Sequence, residues 1–475
     1  MNKSHWPRST SVLVLTAMLG GCASFGQDTP PAKPLDAKQL QLSQANMPAI
    51  QDNWWQPLQD PTLNQLVEQA LANSPSMKMA DSRLRQARSI VGLNESTLGP
   101  QVDANASRSR ERYSLYGILP PPLAGSYQNL YTLSLNANWE IDFWGKNRAE
   151  VAAALGNQRA VAYEGEQTRL VLTQAVIAQY TGLQHSQAQA RLLNQRLRLA
   201  ETRQALLKAR VNAGLLSGDT LRQNEILINR LQQQASLLHD DSENARHALA
   251  ALTAQAPDAL KQLNAAPLTP APALPQNELT ADLLGRRPDI AAQRARVESL
   301  SESVKAAKAA FYPNVSLSSF IGLSALETSN LFDRGAKIVG VTPAVSLPIF
   351  HSGALRANLA REKAGYDEAV AGYNQTVLEA LRSAADALSN WQGSQQQLTS
   401  VRQAEHSASK ATEAAMARLR AGLVNKLSLL DAQETQLMQQ SARLDAEAAQ
   451  RLSWVALHTA LGGGFAARHP APPAR

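Results

Sequence analysis

Four stretches of this 475-residue chain alternate apolar and polar side chains over lengths that suit a bilayer, and no stretch suits a transmembrane helix. From Tyr131 to Phe143 the odd positions read Tyr, Leu, Leu, Ala, Trp, Ile and Phe, with Thr, Ser, Asn, Asn, Glu and Asp between them. Val339, Val341, Pro343, Val345, Leu347 and Ile349 repeat the pattern around Gly340, Thr342, Ala344 and Ser346. Gln101 to Arg112 and Asn314 to Leu323 are weaker copies. Period-two alternation marks a strand with one face in an apolar medium, and strands of about 9–11 residues cross a membrane. Tyr113, Tyr116, Tyr127, Tyr131, Trp139, Phe143 and Trp144 gather at the strand ends, where an interfacial girdle belongs. The pattern predicts hairpins over 101–143 and 313–350. Four strands do not close a barrel, which takes at least about eight. An open edge in lipid leaves backbone groups unpaired, at several kcal/mol each. The chain must therefore associate to close. Two copies make a narrow barrel that side chains fill; three make twelve strands and a usable pore.

The strands sit inside a tandem repeat. Ala209-Arg210-Val211-Asn212-Ala213-Gly214-Leu215 matches Ala417-Arg418-Leu419-Arg420-Ala421-Gly422-Leu423, and Gly145 and Arg148 match Gly353 and Arg356 at the same offset. Pro75, Arg83 and Pro100 align with Pro288, Arg296 and Pro313 at a slightly larger offset, which predicts a longer surface loop in the first half. Proline is absent between Pro122 and Pro257 and between Pro348 and Pro470, so each repeat has room for a long helical hairpin. Leu193, Leu197, Ala200, Gln204, Leu207, Val211 and Gly214 step by four and three. Past a Leu216-Ser217-Gly218 turn, Leu221, Asn224, Ile228, Leu231, Ala235, Leu238, Ser242, Ala245, Leu249 and Leu252 continue the heptads. Such spacing holds one seam against a partner helix. As one helix, Asn147 to Gly214 would run roughly 100 Å at about 1.5 Å per residue. The chain then divides into a leader (1–21), an anchor and tether (22–60), a first repeat (61–256), a Pro-rich linker (257–279), a second repeat (280–461) and a disordered tail (462–475).

The leader begins with Lys3 and Arg8, continues with an apolar run from Val12 to Leu19 and ends at Leu19-Gly20-Gly21-Cys22. The run is short of the about 20 residues a membrane helix needs and reads as a secretory signal. The tetrapeptide resembles the bacterial lipobox, in which cleavage precedes the cysteine and its thiol receives a diacylglycerol. Covalent lipid on Cys22 is the one attached group expected, and several acyl chains together anchor stably. Ala23, where Asp would signal retention, resembles lipoproteins released to the outer membrane. As the only cysteine, Cys22 excludes an intramolecular disulfide framework and any Cys-rich metal site.

Several function classes are excluded. The formal charge of +7 is spread along the chain without the Lys/Arg run of a nucleic-acid groove. The eight histidines are scattered, with no HExxH pairing and no serine elbow, so no catalytic site is expected. No Gly-rich phosphate loop ending in Lys-Ser/Thr occurs, so the energy for any transport comes from elsewhere.

Trp54-Trp55 with Leu58, Asp60-Pro61 and Leu63 are followed by Arg286-Arg287-Pro288-Asp289-Ile290, Phe311-Tyr312-Pro313-Asn314-Val315 and Leu347-Pro348-Ile349-Phe350. In this order, with the repeats at 210–215 and 418–423, they resemble the outer-membrane efflux factors, the TolC-like group, and within it the lipidated NodT-type branch. The resemblance covers nearly the whole mature chain and extends to members serving fusaric-acid or multidrug pumps. His351-Ser352-Gly353 departs from the family's frequent Asp-Gly-Gly at a barrel-to-helix corner.

The resemblance implies a mainly α fold with β: a homotrimer whose twelve strands, four per chain, form an outer-membrane barrel continued by a twelve-helix periplasmic α-barrel. It implies outer-membrane lipid around the barrel, a periplasmic adaptor (membrane fusion) protein and an inner-membrane pump as partners, and passive export of drugs or small toxic organics. It carries a docking and gating role to the helical tips, at Arg210, Gly214, Leu215, Ser217 and Leu221 and at Arg418, Gly422, Leu423 and Ser428. Asp219 and Asp431 lie near the tips, where threefold symmetry would make carboxylate rings that favour cations. The rival reading is a lipid-anchored periplasmic helical interaction protein that never spans the membrane. The alternating strands with aromatic ends stand against it.

Overall fold

The computed structural model describes residues 30–35, 51–272 and 283–465; the leader, Cys22 and the last ten residues lie outside the described residues. Helices α1 (Pro61–Asn73) and α2 (Pro75–Ser96) lead to strands β1 (Gln101–Arg112) and β2 (Tyr127–Ile141), then to α3 (Lys146–Asn212) and α4 (Gly218–Leu252). The second half runs α5 (Pro288–Ala309), β3 (Asn314–Ala325), β4 (Lys337–Ser346), α6 (Ala354–Arg420) and α7 (Lys426–Ala460). Repeated elements match in length: 22 residues in α2 and α5, 12 in β1 and β3, 67 in α3 and α6, 35 in α4 and α7. The mismatch falls in β2, 15 residues against 10 in β4, and in the longer loop 113–126 against 326–336. No described helix is long and apolar enough to cross a membrane. The chain forms two compact units, one around Leu84–Val161 and Gln293–Tyr373, the other around Leu35–Arg83, Ala162–Ala292 and Asn374–Arg475.

The first unit holds an antiparallel sheet in the order β1-β2-β3-β4, so the two halves of the chain join at the β2–β3 seam. Cross-strand partners carry one chemistry across each face. Leu135 lies opposite Ala104 and Ile321, and Ile321 opposite Val339. On the other face Ser134 meets Asn105 and Gly322, and Asn136 meets Asp103. Leu133, Leu135, Ile321, Val339, Val341 and Val345 stand exposed, as a surface meeting hydrocarbon requires. Phe320 is a large apolar side chain on the polar face, with Leu130 and Ile338, and its ring lies where a side chain at Gly340 would be. At the helix-side end of the sheet the Trp139 indole donates to the Leu98 carbonyl at 2.9 Å and that of Trp144 to Pro313 at 2.7 Å, which fastens strand starts to neighbouring strand ends. Gly145 (φ +76°) and Gly353 (φ +85°) take the left-handed conformation that turns each strand into its long helix. The His351-Ser352-Gly353 segment is thus the corner that the sequence implies, with Ser352 also at positive φ.

The second unit is helical around one core. Trp54, Leu63, Ile177, Tyr180, Leu249 and Trp454 are at most 3 % exposed and bring together the residues before α1, α1 itself, α3, α4 and α7; Trp391 adds α6. Asp60 starts α1: its Oδ1 accepts from the amides of Thr62 (3.0 Å) and Leu63 (3.1 Å), and Pro61 needs no donor. The same buried carboxylate accepts from the Tyr180 hydroxyl (3.2 Å) and Gln184 Nε2 (3.1 Å). Burial, with the Asp60 charge adding to it, pushes the Tyr180 phenol up to about 12. Along α3 and α4 the predicted heptads interlock at Leu193, Ala200 and Leu231, and polar pairs fix the register: Asn224 Nδ2 donates to the Ala200 carbonyl at 3.0 Å, and Ser186 bonds Ser242 at 2.8 Å.

Three boundaries read from composition change. Residues 51–60 are core rather than tether, because both tryptophans, Leu58 and Asp60 are buried. In the Pro-rich segment, Leu260, Leu263 and Ala265 pack on the core and Ala266 bonds Tyr180 and Gln184, so residues 257–272 form a strap. Gly462-Gly463-Gly464 is no loose tail. The Gly463 amide donates to the His458 carbonyl (2.9 Å) to cap α7, and side chains at Gly462, Gly463 and Gly464 would strike Arg286, Leu170 and Gln51.

Two predictions follow from this packing. Ser134 is only 8 % exposed, so the edge strand gives the cleaner test of which face meets lipid. Val341→Arg, on the apolar face, is expected to cost about 2–4 kcal/mol of barrel stability, and Thr342→Arg little; heat-resistance of the assembled protein in outer-membrane extracts reads the difference. His458, stacked against Trp54 and beside Trp454, has its pKa pushed down to about 4 by burial. Its unfolded value is about 6.5, so the unfolded state takes a proton that the folded state refuses. The contribution is complete above pH ~6.5 and is lost as pH falls toward 4, by on the order of 3 kcal/mol. Melting curves at stepped pH should show this slope, and His458→Phe should flatten it.

Candidate functional site

The sequence-matched tips are helix-ending turns of one design. Helix α3 ends as Gly214, at φ +75°, donates its amide to Val211 (2.9 Å) while Leu215 donates to the Arg210 carbonyl (2.9 Å). Gly422, at φ +70°, repeats this at the end of α6, donating to Leu419 (3.0 Å), and Leu423 donates to Arg418 (2.9 Å). This pair of bonds closes the last turn and asks for a residue without a Cβ at the crossing point. Arg210 and Arg418 therefore serve the turn through their backbone carbonyls. The turns hold Leu215 and Leu423 out into solvent, 72 % and 75 % exposed among the described residues.

The following helices start on polar caps. Ser217 accepts from the Asp219 amide (3.2 Å) and caps α4, with Leu221 half-buried one turn on. Asn425 accepts from the Ser428 amide (3.1 Å) and caps α7. Asp219 pairs with Arg222 at 2.5 Å. Its carboxyl lies below the usual range because Arg222 and Ser217 hydrogen-bond it. Asp431 is ion-paired with Arg203 of α3. Glu434 takes both Arg196 Nε (3.0 Å) and Nη2 (2.7 Å), and Asp445 takes His185 and Gln189, each at 2.7 Å. Between them these contacts zip α3 of the first repeat to α7 of the second.

Cys22 lies outside the described residues. The α3–α7 zipper is what sequence reasoning missed. Its signal was present in Arg196 and Arg203, seven residues apart on a stripe separate from the leucines, but nothing local names a partner more than 200 residues away.

Residues 66–255 and 279–463 match the outer membrane efflux protein family, one stretch for each repeat. The chain belongs to that family. It is 33% identical over 480 residues to the putative multidrug resistance outer membrane protein MdtQ of Escherichia coli K12, covering 98% of this chain and 100% of the relative. Among solved structures, the outer membrane protein VceC of Vibrio cholerae shares 33% identity at a TM-score of 0.78, over 87% of this chain and 99% of its own. The outer-membrane channel OprN shares 29% at 0.78, over 92% and 97%. This efflux protein is thus an outer-membrane channel component of TolC-like fold, β-barrel plus α-barrel, and the reading as a periplasmic protein that never spans the membrane falls away. Its family and fold are those of channels rather than enzymes.

Proposed function

We propose that three copies of this efflux protein close a twelve-stranded barrel in the outer membrane and continue it as a helical tunnel in the periplasm. The observation that supports this most is the sheet: four strands with one apolar face, and edges β1 and β4 left without a strand partner among the described residues. A lipid-facing edge demands a partner, and three copies supply one for every edge while leaving a pore. In this reading the duct is passive and carries drugs or small toxic organics outward; the multidrug resistance names of the relatives support that cargo. The exposed leucines at the two tips are the surface offered to a periplasmic adaptor, which couples the duct to an inner-membrane pump. An acylated Cys22 fastens each protomer to the inner leaflet.

The mass of native protein extracted from outer membranes tests this directly. A mass of three protomers is expected, whereas a monomer or dimer overturns the pore. The carboxylates near the tips are part of the same proposal: Asp219 and Asp431, repeated threefold, favour cations in the duct. Asp219→Asn with Asp431→Asn should lower the cation preference of reconstituted pores, and unchanged reversal potentials in a salt gradient would sink that role.

A further inference from the structure

The two faces of the sheet differ in charge sign as well as in polarity. On the polar face the ionisable residues of the strands are acids: Asp103, Glu111 and Glu140. On the apolar face they are all cations. Strand β1 presents Val102, Ala104 and Ala106 and then Arg108, Arg110 and Arg112 on that one side, and Lys337 of β4 lies in the row of Leu133 and Leu323. All four cations stand at the hairpin-loop end, away from the strand ends that continue into α3 and α6. A solvated loop rim would mix the signs. Here the segregation follows the pleat.

None of these cations, nor Arg334 in the adjoining loop, is ion-paired within the described residues. Arg108 lies over the Tyr131 ring, 5.4 Å from its centroid, and Arg110 over Tyr127 at 5.6 Å. Such stacking holds a guanidinium flat while its N–H fork stays free for an anion. Arg112 spends only Nε, on the Gly125 carbonyl at 3.2 Å. Beside them the apolar face carries a groove of about 820 Å³, floored by Leu133, Leu135, Ile321 and Leu323 and walled by Phe332. Arg334 and Lys337 stand at its rim with a single acid, Asp333.

We propose that this surface binds a phosphorylated lipid of the outer leaflet, with acyl chains along the groove and the headgroup phosphate on the cations. The proposal rests on the barrel reading above, which puts the apolar face in the bilayer and the hairpin loops outside. Hydrocarbon contact below and unpaired cations above suit an anionic lipid, and bidentate arginine suits a phosphate. Soluble anions meet the charge but leave the groove unused. In a closed barrel β4 of one protomer lies beside β1 of the next, so Lys337 and the β1 arginines come to the hairpin-loop end of each seam.

Native mass spectrometry of the protein purified from outer membranes tests this with three probes: diphosphorylated lipid A, its dephosphorylated form with the same acyl chains, and inorganic phosphate. The wild-type trimer should retain the diphosphorylated lipid about tenfold better than the dephosphorylated one, because only the former engages the cations. Arg108→Gln/Arg110→Gln/Lys337→Gln should bring the two to near parity with the trimer mass intact, and the corresponding Arg→Lys variant should keep most of the preference. If the triple variant does not assemble, Arg334→Gln, outside the strand pairing, should lower the preference about threefold by removing one cation. Equal retention of both lipids by the wild type, or an unchanged preference in the variants, overturns the proposal. So does displacement of the lipid by equimolar inorganic phosphate, which would assign the cluster to the free anion. A wild-type monomer would instead overturn the barrel itself.

Discussion

Unpaired backbone at the edges of one sheet governs the rest of this protein. Among the described residues β1 and β4 each pair with a neighbouring strand on one side only, and no lipid group replaces the missing partner. Association is therefore part of folding rather than an addition to it. The constraint reaches into sequence: one face of each strand must be apolar along the bilayer, the corners must release the chain into helices, and the two halves must supply strands of compatible length. Gly145 and Gly353 meet the second demand with a left-handed residue at each corner. Equal lengths of β1 and β3 meet the third.

The helical unit answers a different demand, since its long hairpins must be held in register over long distances. Its anchor is a core in which residues distant in sequence share aromatic surface, with Trp54 against Trp454 and His458. Inside that core lie two buried charges, Asp60 and the Arg451 guanidinium, with no hydrogen bond or ion pair between them among the described residues. Asp60 accepts four hydrogen bonds, and the field of its carboxylate, with that of Tyr180, opposes the burial that pulls the Arg451 pKa down. Replacing Asp60 alone would remove the charge that offsets the burial of Arg451. Packing of this kind fixes where the residues before α1 and after α7 attach, so both ends of the helical unit are tied to its middle.

Elements with a strong period were legible in the sequence. The alternation through 131–143 and the heptads from Leu193 and Leu221 became β2, α3 and α4 within a few residues, because burial on one face imposes the period directly. The Arg-x-x-x-Gly-Leu repeat marked both tips, while the acceptor role of the Arg210 and Arg418 carbonyls was hidden, since a backbone role leaves no side-chain signature. Composition misled where tertiary contact decides. Three glycines after Leu461 read as a disordered start, but they are glycine because Arg286, Leu170 and Gln51 leave no room for a Cβ. Trp54 and His458, some 400 residues apart, gave no hint of contact, and the β2–β3 seam was equally hidden, since neighbouring strands suggest hairpins and nothing local says which hairpins join.

Charge segregation across the sheet ties these threads together. A barrel in lipid must keep acids off its outer face, since neither hydrocarbon nor anionic headgroups welcome them, and the chain does so: every strand carboxylate lies on the inner side. Along that face Asp103 and Glu140 lie toward the helix-side end of the sheet and Glu111 at the hairpin-loop end, so carboxylates stand at both ends of the strands. The arginines outside and the acids inside thus have one origin, a two-sided sheet whose faces meet different solvents.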